Sequence, residues 1–455
     1  MTTPSPAGAT SEATFTEVVG ALLASLTPGE HLTMDLKAED GQFVRVNHAK
    51  VRQSGHVRVG DLTVQLILEA ADGSLRESSV TVSVTGEVAH DLAAAQDALA
   101  RLRAETPAMP PSPWTRVPER GASTHTVTRG ALLDDGAAPA ALLTPAAGLD
   151  LAGILASGTV MRGSATSAGR HHWFEADTFS FDYSVYSPSG AACKATCAGT
   201  RWDQDAWVAH VGKARALVEL LGQAPRVIPP GEYRAFLGPA AMAEIVQMLS
   251  WGCIGEGAVR QGDSPLRRVT AGTHSFSPLF SLREDFTAGD VPRFDAEGEV
   301  SPELVKLVER GALVSTLISA RTAREHGLVS NGADTAEALR SASILPGRID
   351  EADIYAAIGT GLYIPNLWYL NWSDQPGGRI TGMTRYACLW IEDGRPVGPV
   401  QHVRFDDNLF RILGSSLEGL TRQVHVVPET GSYEFRSLGM LRTPGLLLSQ
   451  FSITL

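Results

Sequence analysis

The pairing of alternating segments in the first hundred residues constrains the fold more than any other feature of the sequence. Apolar and polar side chains alternate in four segments, at residues 31–38, 42–48, 61–70 and 75–85. Each pair of segments is separated by an Asp-Gly turn, at 39–41 and 71–74, which is typical of a β-hairpin. Helical periodicity flanks them at 15–26 and 88–103. The order α-ββ-ββ-α predicts an α+β module, an antiparallel sheet with helices on one face.

The remaining chain predicts further units, because 455 residues are too many for one small core. A long hairpin is expected over residues 169–201 with its turn at 187–190, and a helix over 203–221 capped by Asp203. Residues 145–157 and 302–311 each suggest a helix, and beyond Gly311 short strands dominate. We predict a disordered lead-in at 1–14, an N-terminal α+β domain at 15–104, a proline-rich linker or surface loop at 105–145, a central hairpin and helix region at 146–224, and a C-terminal β-rich domain, twisted-sheet or barrel-like, at 225–455.

Charge and composition exclude several classes of function. The net charge is −12 without a compensating basic run, so nucleic-acid binding is disfavoured. The sequence contains no run of about 18 apolar residues, so no membrane span is predicted. The N-terminus does not resemble a secretory signal. Four cysteines in so long a chain do not form a disulfide scaffold, and the C-x3-C pair Cys193 and Cys197 is interpreted as structural thiols. We therefore expect a cytoplasmic protein.

Residues 239–262 combine a helix with a glycine-rich turn. Pro239 suits the first turn of a helix, and Met242, Ile245 and Leu249 follow with helical spacing. Three glycines then end the helix, and the one carboxylate, Glu256, lies beyond it. A packed helix with a glycine stop is favoured over a functional site on these residues alone.

No catalytic constellation emerges from the residue pattern. The adjacent His171 and His172 point to opposite faces of a strand, so they cannot chelate one ion together, although one of them is a candidate to line a groove. Asp295 and Glu297 share a face of an extended segment and could receive a cation, but a solvated turn is the commoner interpretation. Nucleophile-elbow, P-loop and dinucleotide-binding motifs are absent from the sequence. The residues assign no reaction.

A collinear set of segments nevertheless carries a family resemblance. In chain order they are RVNHAKVRQSG, PPGEYRAFLGPAAMAEIVQML, FDAEG with ELVKLVERGALVSTL, SNG before SASILPG, the Gly361-Leu362-Tyr363 strand, ITGMTRYACLWIEDGRPVGPV, DDNLFRIL, and an apolar strand after Thr443-Pro444. Together they resemble the TldD/PmbA family, the peptidase U62-like or "modulator of DNA gyrase" family. The similarity extends loosely from Phe15 to Leu455, and no single segment is diagnostic.

The resemblance implies zinc-dependent proteolysis by one type of family member. That type, TldD, carries H-E-x-x-x-H on a helix plus a cysteine near the C-terminus as zinc ligands. Its partner type, TldE or PmbA, forms a heterodimer with it that cleaves small or unfolded peptides. Here Gln247 and Gly252 replace the two histidines and Met248 the glutamate, while residues 430–442 contain no cysteine. Trp251 is expected to plug the vacant metal pocket.

The resemblance therefore predicts a TldE/PmbA-like subunit without a catalytic residue, cofactor or metal of its own, with zinc only in the partner. The expected partners are a TldD-like metalloprotease chain or a second copy, together with a peptide held by strand addition. His171, His172, Glu256, Asp295 and Glu297 are possible groove or peptide-contacting residues. The aromatic residues of the 169–201 hairpin are either a groove wall, a subunit interface or core. The alternative is a stand-alone homodimeric hydrolase or peptide-binding protein that uses Glu256, Asp295 and Glu297.

Overall fold

The computed structural model describes residues 10–455, so the first nine residues of the predicted lead-in lie outside it. The first helix, α1, spans Glu12–Ala24. It begins three residues before the predicted position, because the Ser11 side chain accepts a hydrogen bond from the Thr14 N–H at 3.2 Å and caps the helix.

An N-terminal sheet contains seven strands. They are β1 Glu30–Asn47, β2 Lys50–Glu69, β3 Leu75–Ser83, β4 His125–Thr128, β5 Asp150–Thr166, β6 His171–Tyr186 and β7 Ala192–Gly199. The strand order is β3-β2-β1-β5-β6-β4, and β7 pairs with β6. Helices α1 and α2 (Val88–Glu105) bury apolar side chains such as Phe15, Leu22 and Leu99 against this sheet. The predicted α+β fold class is confirmed.

The strand connections of this sheet differ from the prediction at residues 39–41. That segment is not a turn: β1 continues through it, and Gly41 lies opposite Gly158 of β5. The chain turns instead at His48 and Ala49, which have φ of 49° and 50°. The predicted turn at 71–74 is confirmed between β2 and β3.

The central region is also only partly as predicted. The helix expected at 145–157 is wrong, because these residues enter β5, whereas the predicted linker contains a short helix, α3 (Ala138–Leu143). The long hairpin is confirmed as β6 and β7, and α4 (Gln204–Leu221) begins after its cap Asp203, whose Oδ1 accepts from the Ala206 N–H. Trp207 of α4 is buried edge-on against Phe181 and Tyr183 of β6.

The C-terminal part contains two open sheets. One comprises β9 Leu282–Asp285, β10 Leu304–Glu309, β11 Ala312–Leu313, β12 Ser341–Ile344, β20 His425–Pro428 and β21 Met440–Thr443, in the order β11-β10-β9-β12-β21-β20. The other comprises β8 Gly231–Leu237, β13 Gly361–Ile364, β14 Asn366–Asp374, β15 Arg379–Arg385, β16 Leu389–Glu392, β17 Arg395–Pro399, β18 Arg404–Asn408, β19 Leu417–Leu420 and β22 Leu446–Ile453. Its order is β14-β15-β18-β22-β8-β13-β16-β17, with β19 on β22.

Five helices accompany these sheets: α5 Pro239–Ser250, α6 Glu256–Gln261, α7 Arg267–Thr270, α8 Ala320–His326 and α9 Ile354–Ile358. The predicted helix at 302–311 is wrong, because these residues form β10. The β-rich, twisted-sheet character is confirmed, and neither sheet closes into a barrel within residues 10–455.

A continuous apolar cluster connects the two parts of the chain. It contains Trp207 and Phe181 from the N-terminal part together with Phe236, Leu389 and Leu447 from the C-terminal part. This cluster crosses residue 225, and the predicted domain boundaries stay predictions. No helix among residues 10–455 is both long and apolar enough to cross a membrane.

Candidate functional site

Helix α5 presents one face to the core and another to a cavity. Pro239 occupies its first turn after Gly238 at the N-cap, as predicted. Met242, Ile245 and Leu249 are fully buried in the C-terminal core. The opposite stripe follows the same helical spacing and lines the cavity with Ala240, Ala243, Glu244, Gln247, Ser250 and Trp251.

This central cavity has a volume of about 1410 Å³. Its other walls are β7, α4, residues 351–355 and the 429–439 loop, which connects β20 to β21. The cavity therefore lies between the N-terminal and C-terminal parts of the chain. It is larger than the roughly 300–1,000 Å³ of a typical small-molecule site.

The four positions that replace the family's zinc motif are placed differently from one another. Gln247 lines the cavity, whereas Met248 is buried in the core. Gly252 has a φ of 69°, and its carbonyl oxygen accepts from Gln375 Nε2 at 3.1 Å. Trp251 is 58% exposed at the cavity rim. The indole of Trp251 thus lines the cavity, and its role as a plug of the vacant metal pocket stays a prediction.

The 169–201 hairpin contributes polar rather than aromatic groups to the cavity. Its aromatic side chains are core residues: Trp173, Phe174, Phe179, Phe181 and Tyr183 are all buried. The cavity wall instead receives Asp182, Lys194 and Thr196. Of the three interpretations of these aromatics, the structure supports the core.

Glu256 is engaged in structural contacts. Its Oε1 accepts from Arg260 Nε at 2.6 Å, and its Oε2 accepts from Thr316 Oγ1 at 2.7 Å. These bonds hold α6 against the segment before α8, and Glu256 is not among the residues that line the central cavity.

The remaining candidates lie where the 295–298 turn packs on the N-terminal sheet. His172 is fully buried, its ring stacks on Phe294 at 5.1 Å, and its Nδ1 accepts from the Thr124 N–H at 3.1 Å. Asp295 Oδ1 accepts from the N–H groups of Glu297 and Glu299, both at 2.9 Å.

These side chains do not join the central cavity. Glu297 lines a separate pocket of about 130 Å³ beside Arg116 and Arg321. His171 lies at the surface beside Phe15 and Thr16. The sequence candidates thus fall into at least two separate places.

We expect His172 to make the protein less stable as the pH falls. Burial lowers the pKa of His172 to about 4, so the folded state stays neutral while the unfolded state gains a proton below about pH 6.5. The free energy of unfolding should therefore fall by about 3 kcal/mol between pH 7 and pH 4 because of this residue. The difference between wild type and His172→Asn in chemical denaturation, measured across this range, isolates the effect.

Asp295 should act in the opposite direction, because burial raises its pKa to about 7 and the folded state then binds the extra proton. Its contribution is present at acidic pH and is lost as the pH rises through 7. Asp295→Asn should therefore gain stability relative to wild type as the pH rises. A pH-independent difference for both variants contradicts this assignment.

The charged groups of the central cavity are partly paired with one another. Lys194 Nζ lies 3.0 Å from Asp182 Oδ2, and His425 contacts Glu351. Within residues 10–455, the carboxylates of Glu244 and Glu429 have no hydrogen-bond or ion-pair partner. Burial raises the pKa of both carboxyl groups.

Glu244 and Glu429 did not appear among the sequence candidates. Glu244 precedes Gln247 by one helical turn, so the spacing of the helix was a usable signal for it. Glu429 had no such signal, since it reaches the cavity only through the pairing of β20 with β21.

The side chains at the motif positions do not fit a zinc ion. Zinc requires imidazole, thiolate or carboxylate ligands, whereas the motif positions offer the amide of Gln247, the thioether of Met248 and no side chain at Gly252. Across the part of the chain that the structure describes, no group of three His, Cys, Asp or Glu side chains is placed to hold a metal.

Residues 230–455 match the PmbA/TldA metallopeptidase C-terminal domain. Three solved structures are similar over nearly their whole lengths: a putative modulator of a DNA gyrase from Thermotoga maritima (14% identity, 97% of this chain and 100% of that one, TM-score 0.74), TldE from Thermococcus kodakarensis (16%, 96% and 100%, 0.71), and a putative modulator of DNA gyrase from Bacteroides thetaiotaomicron (13%, 97% and 98%, 0.73). A search of curated proteins finds no match.

The fold is thus that of the PmbA/TldD/TldE metallopeptidase-like class, with a cavity where its two parts meet. The chain belongs to the TldD/PmbA family.

Proposed function

We propose that this chain is a metal-free, TldE/PmbA-like subunit that supports proteolysis of small or unfolded peptides by a zinc-bearing, TldD-like partner in the cytoplasm. The observation that carries the proposal is the cavity face of α5, where Gln247, Ser250 and Trp251 stand in the segment that aligns with the zinc motif. None of these side chains is an effective zinc ligand or a general base.

The shape of the cavity supports a role in holding peptide. An extended peptide needs more room than a small molecule, and about 1410 Å³ provides it. Strand β14 lies at the edge of its sheet and exposes Trp368 and Tyr369. An unpaired edge offers backbone donors and acceptors to an added strand, and β14 begins at Asn366, which lines the cavity.

The alternative, a stand-alone hydrolase using Glu256, Asp295 and Glu297, receives less support. Glu256 is bound by Arg260 and Thr316, and neither Asp295 nor Glu297 lines the central cavity. A homodimeric peptide-binding protein remains the second candidate, and the cleavage experiment separates it from a protease subunit.

Purified chain should not cleave an unstructured, fluorescence-quenched peptide, whereas its mixture with the TldD-like chain from the same genome should. This follows from the absent ligands in one chain and the expected zinc in the other. Cleavage by the mixture should stop when a zinc chelator is added, and native mass measurement should show one copy of each chain. Chelator-sensitive cleavage by this chain alone, with stoichiometric zinc, would overturn the proposal.

Ala240→Trp tests whether the cavity of this chain participates. Ala240 lines the cavity from α5, so an indole there should slow cleavage by the complex several-fold by occupying peptide space. Ala93→Trp, the same change on an exposed position of α2, is the matched control and should leave the rate unchanged. Equal rates for the two variants would show that the peptide does not enter this cavity.

A further inference from the structure

We propose that the central cavity selects peptides that carry a cationic group, which Glu244 of α5 and Glu429 of the 429–439 loop bind. The group is an ammonium or guanidinium, from a lysine or arginine side chain or from a free amino terminus. This inference rests on the proposed function, which supplies the peptide, and it adds the chemical class of peptide that the cavity takes.

The charge balance of the cavity wall favours a cation. Four carboxylates line it, Asp182, Glu244, Glu351 and Glu429, against two lysines, Lys194 and Lys213. Lys194 is bound by Asp182, which also accepts from Thr196 Oγ1 at 2.7 Å. Glu351 contacts His425. The two carboxylates that remain are those without a partner in residues 10–455.

Partial desolvation gives these two carboxylates a reason to bind a cation. Partial burial raises the pKa of both Glu244, which is half-buried, and Glu429, the more exposed of the two, because the charged form loses hydration. An opposite charge placed beside them restores that lost stabilisation. They lie on two elements that both line the cavity, the helix α5 and the loop after β20.

Asn366 provides an independent sign of a missing donor. It lines the same cavity, is only 9% exposed, and its Oδ1 has no hydrogen-bond partner in the described part of the chain. A buried amide oxygen without a partner is destabilising, because it has lost its hydration without a replacement. The N–H groups of a peptide or of a cationic side chain supply the donor that this oxygen lacks.

An aromatic wall adds a third element suited to a cation. Tyr355 and Tyr363 both line the cavity, and their ring centroids are 5.4 Å apart in an edge-on arrangement. Tyr363 in turn stacks on Phe236 at 5.6 Å. The faces of such rings attract ammonium and guanidinium groups.

The test compares three labelled peptides of otherwise identical Ala, Ser and Gly sequence. One is capped at both ends and contains a central lysine, the second is capped and contains norleucine instead, and the third contains norleucine but has a free amino terminus. Binding is measured by fluorescence anisotropy, with the chain alone and with the complex that it forms with its TldD-like partner.

We expect the lysine peptide to bind about tenfold more tightly than the capped norleucine peptide, and Glu244→Gln or Glu429→Gln to remove that difference. The third peptide distinguishes an amino-terminal cation from a side-chain cation as the bound group. Glu17→Gln, which removes the same charge from an exposed position on α1, is the control and should leave all affinities unchanged. The thermal midpoint of each variant shows whether it is folded.

Equal binding of the lysine peptide and both norleucine peptides overturns the cation selectivity and leaves the proposed peptide role intact. Failure of all three peptides to bind the complex, while the complex still cleaves its quenched substrate, overturns the cavity as the binding place. Loss of cleavage by the complex itself is a failure of the proposed function, and it is read in the separate cleavage assay.

Discussion

Replacing Arg436 by alanine is expected to lower the free energy of unfolding by about 3 kcal/mol and to release the 429–439 loop from the N-terminal sheet. Arg436 is nearly buried, and its Nε lies 3.3 Å from Glu39 Oε2. Its Nη1 donates to the Thr178 carbonyl oxygen at 3.0 Å and its Nη2 to that of Gly158 at 2.9 Å. Without the guanidinium, the buried carboxylate of Glu39 loses its ion-pair partner and keeps only the nearby charge of Arg162.

The measurement is chemical denaturation together with limited proteolysis of the loop. Tyr433 at its tip is 90% exposed, so a loosened loop should be cut faster near this residue. Arg422→Ala is the control, because this exposed arginine lies 3.9 Å from Asp350 and such surface pairs contribute about 0–1 kcal/mol. Unchanged stability and unchanged protease resistance for Arg436→Ala would contradict the assigned anchor.

A double variant determines how much of the effect belongs to the ion pair. If Glu39 and Arg436 depend on each other, Glu39→Gln combined with Arg436→Ala should cost less than the sum of the two single changes. The pair connects residues 397 positions apart in the chain. The N-terminal sheet would then fix the 429–439 loop, which lines the same cavity as α5.

The helices next to the cavity could be predicted because their signals are local. Pro239 and the apolar spacing after it define α5, and Asp203 caps α4 where its sequence position indicates. The pattern wrongly predicts helices at 145–157 and 302–311, because short apolar runs do not distinguish a strand from a helix. Pairing with distant strands made both of them β-structure.

Only the cavity-lining residues on a single helix, α5, could be predicted from the sequence. Gln247 and Trp251 follow from the resemblance and do line the cavity, whereas Met248 faces the core. Glu429 and Asn366 lie on other elements. That the Glu429 carboxylate and Asn366 Oδ1 have no partner among residues 10–455 is a property of the folded chain. A sequence specifies the type of each residue, whereas the pairing of its charged side chains depends on how distant segments fold together.

Gly158→Ala is expected to lower the free energy of unfolding by about 3 kcal/mol or more. Gly158 of β5 lies opposite Gly41 of β1, where the Asp-Gly pair predicts a turn but the strand continues. Gly158 has a φ of 147°, and an added Cβ would lie 2.3 Å from the Gly41 Cα and 2.4 Å from the Asp40 carbonyl oxygen. Backbone strain and overpacking each cost about 1–3 kcal/mol. Both contacts are with backbone, so no side-chain movement relieves them.

Gly212→Ala is the matched substitution with the opposite expected sign. Gly212 lies in an exposed part of α4, nothing lies within 4 Å of the added Cβ, and alanine should stabilise the helix by about 1 kcal/mol. Chemical denaturation of the two variants therefore separates a close approach of strands from a general effect of replacing glycine. If Gly158→Ala is as stable as wild type, β1 and β5 do not meet in this register. The carbonyl that receives Arg436 would then be misplaced as well, so this one substitution also tests the anchor of the cavity wall.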